Sequence, residues 1–246
     1  SLVGSEICIR DRTGTCQDAT LLLQGNLNAG KPKVSCIIED KNKNLWVGTY
    51  GSGLYKINLP TQHVTYYEST RNENDDWSIN RLPNDWISYL LEDKEGMIWI
   101  GTYKGLAVLN PQTDNFINYK KQNNLLPGYV VYSLLESSNG EIWAGTSEGL
   151  VCLNKDRLTP VLFTTADGLP SDIICGLAED EKKNIWISTH QGISKLNPPE
   201  KKFINYYAGD GLQGNEFTRT AVFKDKRGKI FFGGTNGVTA FYPQDI

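Results

Sequence analysis

The sequence predicts an all-β propeller of four-stranded blades, and three observations carry the prediction. One hexamer recurs as Asn44-Leu45-Trp46-Val47-Gly48-Thr49, Met97-Ile98-Trp99-Ile100-Gly101-Thr102, Glu141-Ile142-Trp143-Ala144-Gly145-Thr146 and Asn184-Ile185-Trp186-Ile187-Ser188-Thr189. A fifth copy, Lys229-Ile230-Phe231-Phe232-Gly233-Gly234, has Phe for Trp, and Leu2-Val3-Gly4-Ser5 is a worn sixth. The copies are spaced by 44, 53, 44, 43 and 45 residues, and roughly 44 residues is the size of one propeller blade. Finally, no segment sustains the 3.6-residue apolar period of an amphipathic helix, so helix should be scarce.

Each blade is read in chain order. Strand A is an apolar run ending in an acidic turn, at 34–40, 87–93, 131–137, 174–180 and 219–225. Turns such as Lys41-Asn42-Lys43 and Lys94-Glu95-Gly96 then lead into the hexamer as strand B, since Asn, Asp and Gly take hairpin geometry at low steric cost. Strand C follows at 53–58, 105–110, 149–154 and 192–197, with apolar and polar residues alternating. Strand D is the outer strand, at 63–67, 116–119 and 203–207. The blades fall at 34–68, 86–120, 130–164, 173–207 and 219–242, and residues 1–33 form a degenerate partial blade. A blade cannot bury both faces alone, so the tryptophans pack between sheets and are structural. Glu39-Asp40, Glu92-Asp93 and Glu179-Asp180 are neighbours on a strand and point to opposite faces. They therefore cannot flank one bond as a catalytic pair, and they serve the turns.

Composition excludes whole classes of function. The 246 residues carry 25 Lys and Arg against 28 Asp and Glu, a net charge of −3, without the basic cluster that nucleic acid or an anionic membrane requires. The longest apolar runs, Leu21-Leu22-Leu23 and Ile230-Phe231-Phe232, are far short of a bilayer span. Five cysteines (Cys8, Cys16, Cys36, Cys152 and Cys175) include no CxxC pair, and two histidines, His63 and His190, cannot build a multi-His metal centre. No metal or cofactor is expected, and HExxH, GxSxG and Walker A patterns are missing.

The run Gly168-Leu169-Pro170-Ser171-Asp172-Ile173, followed by Ala178-Glu179-Asp180, the Trp186 hexamer, Gly192-Ile193 and Leu196-Asn197, resembles the two-component regulator propeller repeat. Ser188 for Gly and Ser137 for the turn Asp depart from that pattern. The resemblance implies a periplasmic sensor region of a membrane-bound histidine kinase, one that often governs polysaccharide use. It further implies neighbouring propeller and β-sandwich domains in the same chain, a homodimeric parent receptor and a seven-bladed parent propeller. The length corresponds to about 5.6 repeats, so about six blades are represented, with both ends cut within a blade.

Strand direction places A–B and C–D turns on one face, and B–C and D–A loops on the other. The short turns repeat closely and the loops vary, as recognition loops on a rigid frame do. The candidate ligand residues in those loops are Tyr50, Trp77, Arg81, Asp85, Trp86, Tyr103, Tyr129, Glu148, Asp172, His190, Glu216, Arg219 and Asn236. Aromatic rings beside carboxylates and guanidiniums suit sugars, which offer apolar faces and hydroxyls together, so the expected partner is a small carbohydrate or similar solute. Two other readings stand beside this sensor. One is a propeller enzyme acting on glycans, sialidase- or lyase-like. Asp93-Lys94-Glu95-Gly96-Met97-Ile98-Trp99 approximates a sialidase Asp-box with one residue too many between Asp and Gly. The other is a structural dimerisation platform.

Overall fold

The computed structural model describes residues 2–3, 6–10, 16–18, 32–69, 80–119, 126, 130–155 and 159–246, of which the strands before residue 32 are described by backbone alone. The fold is an all-β propeller built from antiparallel sheets in sequence order. The chain divides into two compact units, residues 1–100 with 107–118 and residues 101–106 with 119–246.

In the first unit, β1 (Leu2–Val3), β2 (Glu6–Arg10) and β3 (Cys16–Asp18) form a three-stranded sheet. One full blade is β4 (Val34–Glu39), β5 (Asn44–Thr49), β6 (Leu54–Asn58) and β7 (Val64–Tyr67). The next is β8 (Ile87–Glu92), β9 (Ile98–Thr102), β10 (Gly105–Asn110) and β11 (Asn115–Tyr119), most of it in this unit. The second unit holds the blade β12 (Val131–Glu136), β13 (Ile142–Thr146), β14 (Gly149–Leu153) and β15 (Pro160–Phe163). It also holds the blade β16 (Ile174–Glu179), β17 (Ile185–Thr189), β18 (Gly192–Asn197) and β19 (Lys202–Tyr206). A last sheet has three strands, β20 (Phe217–Lys224), β21 (Ile230–Gly234) and β22 (Gly237–Phe241). Among the described residues five sheets thus carry the repeat, four of them four-stranded, one fewer than the six or so expected. Helix is confined, among the described residues, to 3-10 turns such as Thr165–Asp167 and Ala208–Asp210.

The hexamer tryptophans Trp46, Trp99, Trp143 and Trp186 are all nearly inaccessible to solvent. Trp46 stacks on Tyr67, Trp143 on Phe163 and Trp186 on Tyr206, each ring on strand D of its own blade. Tyr67 then meets Phe116 edge-on and Phe163 meets Phe203, which carries the packing into the following blade. The turn Asp is the polar partner that such burial requires. Asp40 accepts from the Asn42 and Asn44 N–H groups, Asn44 Nδ2 and Trp46 Nε1, the last at 2.8 Å. Asp180 repeats the same set, and Asp93 takes Trp99 Nε1 at 2.7 Å. The Asp-box-like segment is therefore a closed turn around a buried carboxylate.

The Glu of each Glu-Asp pair does different work. Glu92 accepts from the Lys41 N–H of the preceding blade's turn, and Glu179 accepts from the Ser138 N–H. One carboxylate closes its own turn and its neighbour holds the adjacent blade, so neighbouring blades are tied together at their turn end.

Candidate functional site

The loops are fixed before they are functional. Thr49, Thr102, Thr146 and Thr189 end strand B, and each hydroxyl donates across the B–C turn to Gly53, Gly105, Gly149 or Gly192 carbonyl oxygen. The D–A loops carry a second repeated clasp. The carboxylate of Asp85 accepts from Ser69 N–H at 2.6 Å, that of Asp172 from Thr165 N–H at 2.7 Å, and the Asn215 side chain from Ala208 N–H at 2.7 Å. Two of the sequence-derived ligand carboxylates, Asp85 and Asp172, thus also close loops.

In the first unit, that closure presents an aromatic ledge. Gly51 and Gly53 N–H both donate to the Asp85 carbonyl, which draws the B–C tip against the next entry loop. Tyr50 and Trp86 then pair through their backbones in an isolated antiparallel bridge. Their rings meet edge to face at 6.2 Å, with Tyr50 37% and Trp86 49% exposed. Lys33 Nζ lies 5.3 Å from the Tyr50 ring centre. A Cβ at Gly51 would stand 3.2 Å from Trp86 Nε1 in a backbone at φ +88°, so Gly there lets the indole lie close to the loop. The indole is thus half exposed on a braced backbone. Arg81 is exposed nearby in sequence, and its carbonyl accepts from Asn118.

The second unit gathers a different group. Strand A carries a bulge between Val131 and Ser133 in β12 and between Ile174 and Gly176 in β16. In β20 the break widens to the span from Phe217 to Val222, and Thr220 sits at φ +64°. A β-branched residue rarely adopts that backbone, and bulges re-aim side chains. The result is that Arg219 lies with its guanidinium carbon 4.5 Å from the centre of the Tyr132 ring. Cys175, on the strand between them, is fully buried and donates to the Phe217 carbonyl at 3.3 Å. Burial raises the Tyr132 hydroxyl pKa, the Arg219 charge opposes that shift, and Tyr103 adds to it. Burial pushes the Cys175 thiol up to about 12, so it is neutral and unreactive at ordinary pH.

The remaining candidates are dispersed. Glu148, His190 and Asn236 take part through backbone N–H groups, donating to Thr146 Oγ1, the Ile173 carbonyl and Gln213 Oε1. Glu216 lends its carbonyl to Thr235 N–H. Trp77 and Tyr129 lie outside the described residues. Tyr132 and Lys33 were not on the sequence-derived list, since a bulge has no residue signature. Lining up the repeats does place Ser35, Tyr132 and Cys175 at one position, just after the first residue of strand A. Among the described residues no group of three or more His, Cys, Asp or Glu is placed to hold a metal, and no helix is long and apolar enough to cross a membrane. A groove of about 250 Å³ opens at the turns, lined by Lys41, Glu92, Lys94 and Gln112 among others. Lys41 Nζ is already bonded there to the Asp93 and Lys94 carbonyls, so the groove is a seam between blades.

Comparison with known proteins agrees with this architecture. Residues 30–51, 81–104, 125–148 and 168–191 match the model of the two component regulator propeller family. The extracellular domain assigned to one hybrid two-component system of B. thetaiotaomicron is 27% identical with a TM-score of 0.79, over 98% of this chain and 34% of that one. A second such domain from B. thetaiotaomicron is 19% identical with a TM-score of 0.71, over 89% of this chain and 30% of that one. Virginiamycin B lyase from Staphylococcus aureus is 14% identical with a TM-score of 0.63, over 88% of this chain and 72% of that one, a likeness of fold alone. No curated protein matches the sequence. The chain spans about a third of the length of the two extracellular domains.

Proposed function

Because the chain carries two-component regulator propeller repeats, we propose that it is a non-enzymatic sensing module of an extracytoplasmic receptor, and that it recognises an oligosaccharide or polysaccharide breakdown product. The receptor would sit with this region in the periplasm and pass the signal to a histidine kinase beyond it, through neighbouring propeller and β-sandwich domains and a homodimer. The family carries the sensor reading. The Tyr50–Trp86 ledge is the observation that supports a sugar. Exposed, braced aromatic faces are what a pyranose stacks on, and Lys33 beside them offers a hydrogen-bond donor to hydroxyls. The enzyme reading has no comparable support, because the Asp93 carboxylate is consumed by its turn.

Isothermal titration of the chain against a broad panel of neutral and acidic oligosaccharides tests this. At least one glycan should bind, and Trp86→Ala should weaken it by tenfold or more with the fold intact. A panel without a binder, or full affinity in Trp86→Ala, would reject the ledge as the recognition surface.

A further inference from the structure

Arg219 is a charge whose surroundings orient it and leave it unneutralised. Its guanidinium lies over Tyr132, yet among the described residues it makes neither an ion pair nor a side-chain hydrogen bond. The contrast within the same sheet is Arg227, an ordinary surface arginine that pairs with Asp225 at 3.3 Å. Glu216, three residues before Arg219, engages through its carbonyl and forms no ion pair with Arg219. The backbone is arranged around this side chain. β12 and β16 each break register around one residue, Tyr132 or Cys175, whereas β20 breaks it over the four residues between Phe217 and Val222. Thr220, next to Arg219, holds φ +64°. Strain kept in a β-branched residue beside an unpaired cation is the pattern of a binding position.

We propose that Arg219, stacked on Tyr132, is a carboxylate-binding subsite that selects acidic sugars over neutral ones. A guanidinium packed by one face keeps its N–H edge in the ring plane, where it meets both oxygens of a carboxylate in parallel hydrogen bonds. The Tyr132 ring is buried, 7% exposed, so the face it offers the guanidinium is held in place. The subsite deepens the glycan-sensing reading and rests on it for the sugar, but its anion preference is a property of Arg219 alone.

The test uses the intact chain and small probes: glucuronate against glucose, with a galacturonate oligomer against its carboxyl-reduced counterpart, and methyl phosphate as a competing oxoanion. Binding is followed by calorimetry and by NMR shifts in wild type, Arg219→Gln, Arg219→Lys and Tyr132→Leu. Thermal unfolding confirms that each variant folds. The acid should bind at least tenfold more tightly than its neutral partner. Arg219→Gln should erase that ratio, Arg219→Lys should keep only part of it, and Tyr132→Leu should reduce it. Equal binding of acid and neutral sugar, a preference that survives in Arg219→Gln, or methyl phosphate binding as well as glucuronate would each overturn the subsite. If neutral glycans bind through Trp86 without an acid preference, the subsite fails and the glycan reading stands. If glucuronate binds at Arg219 while Trp86→Ala changes nothing, the subsite stands and the ledge fails. Silence from every probe rejects both.

Discussion

The blade's most exacting position is the acidic turn residue, and one blade lacks it. Trp46, Trp99 and Trp186 each donate to a buried carboxylate, but the third blade has Ser137, and Trp143 Nε1 is buried with no acceptor. The shorter Ser137 hydroxyl instead accepts from the Glu141 N–H. Ser137→Asp should therefore supply the missing acceptor and stabilise the chain by about 1 kcal/mol, read from the urea midpoint at unchanged slope. Asp180→Ala, the reverse change, strands four donors and should cost about 3 kcal/mol or more. Titration follows from the same geometry. Burial alone would raise the Asp40 pKa, but its hydrogen bonds to Asn44, Trp46 and Asn42 outweigh burial and hold it below the ordinary 3.8. Part-buried Asp225 is also lowered, first by its bond from Lys229 N–H. A lowered folded pKa means that the stabilisation is complete above the ordinary value and is lost as pH falls through the folded one. Unfolding midpoints should thus hold steady to about pH 5 and drop below pH 3.8. Asp40→Asn should flatten that drop, and an unchanged acid limb would contradict the assignment.

At the scale of strands, the Gly that follows each Trp sets how closely blades approach. A Cβ on Gly145 would stand 2.6 Å from Ile174 Cγ2, and one on Gly48 would stand 2.7 Å from both Cys36 Sγ and Ile87 Cγ2. Gly145→Ala should therefore destabilise by about 1–3 kcal/mol through overpacking, measurable by chemical denaturation. A loss under 0.5 kcal/mol would show that the strands yield more than this packing allows. Ser188 breaks the Gly rule without a steric clash because its register partner is Gly176, where the other blades pair Cys36 with Gly48 and Ser133 with Gly145, although its hydroxyl is buried without a hydrogen-bond partner. The small residue has moved to the facing strand. That compensation was legible in principle, as were the period, the blade order and the buried tryptophans, because each is a repeated local pattern. Asp85 and Asp172 were ambiguous for the opposite reason. Their residue type suits a ligand as well as a loop clasp, and only the Ser69 and Thr165 N–H positions reveal the clasp. The Arg219–Tyr132 contact was invisible because it joins two strands of different blades through bulges that leave no mark in composition.

On the scale of the molecule, two compact units invite the question of whether they open together, and the cysteines answer it without added probes. Cys36 lies in the first unit, and Cys152 and Cys175 lie in the second. Burial pushes all three thiols up to about 12, from the ordinary 9.0. A neutral, enclosed thiol reacts only when its surroundings open, so the labelling rate reports the free energy of that opening. With Cys8 and Cys16 replaced by Ser, a maleimide at pH 8 should label none of the three on the timescale that labels the denatured chain. The raised values also fix a sign at the alkaline end: stability is complete below pH 9.0 and falls as pH climbs toward 12. In increasing urea, units that open independently should release Cys36 and Cys175 at different midpoints, whereas a single cooperative molecule releases them together. A ligand adds a further cut, because binding slows opening by the factor 1 + [L]/Kd only in the unit that holds it. An acidic sugar seated on Arg219 should protect Cys175, which lies on the strand between Tyr132 and Arg219, and a neutral sugar on Trp86 should protect Cys36. Native chains labelled at the denatured rate would show that the thiols are not enclosed, and protection of the wrong cysteine would assign each sugar to the other unit.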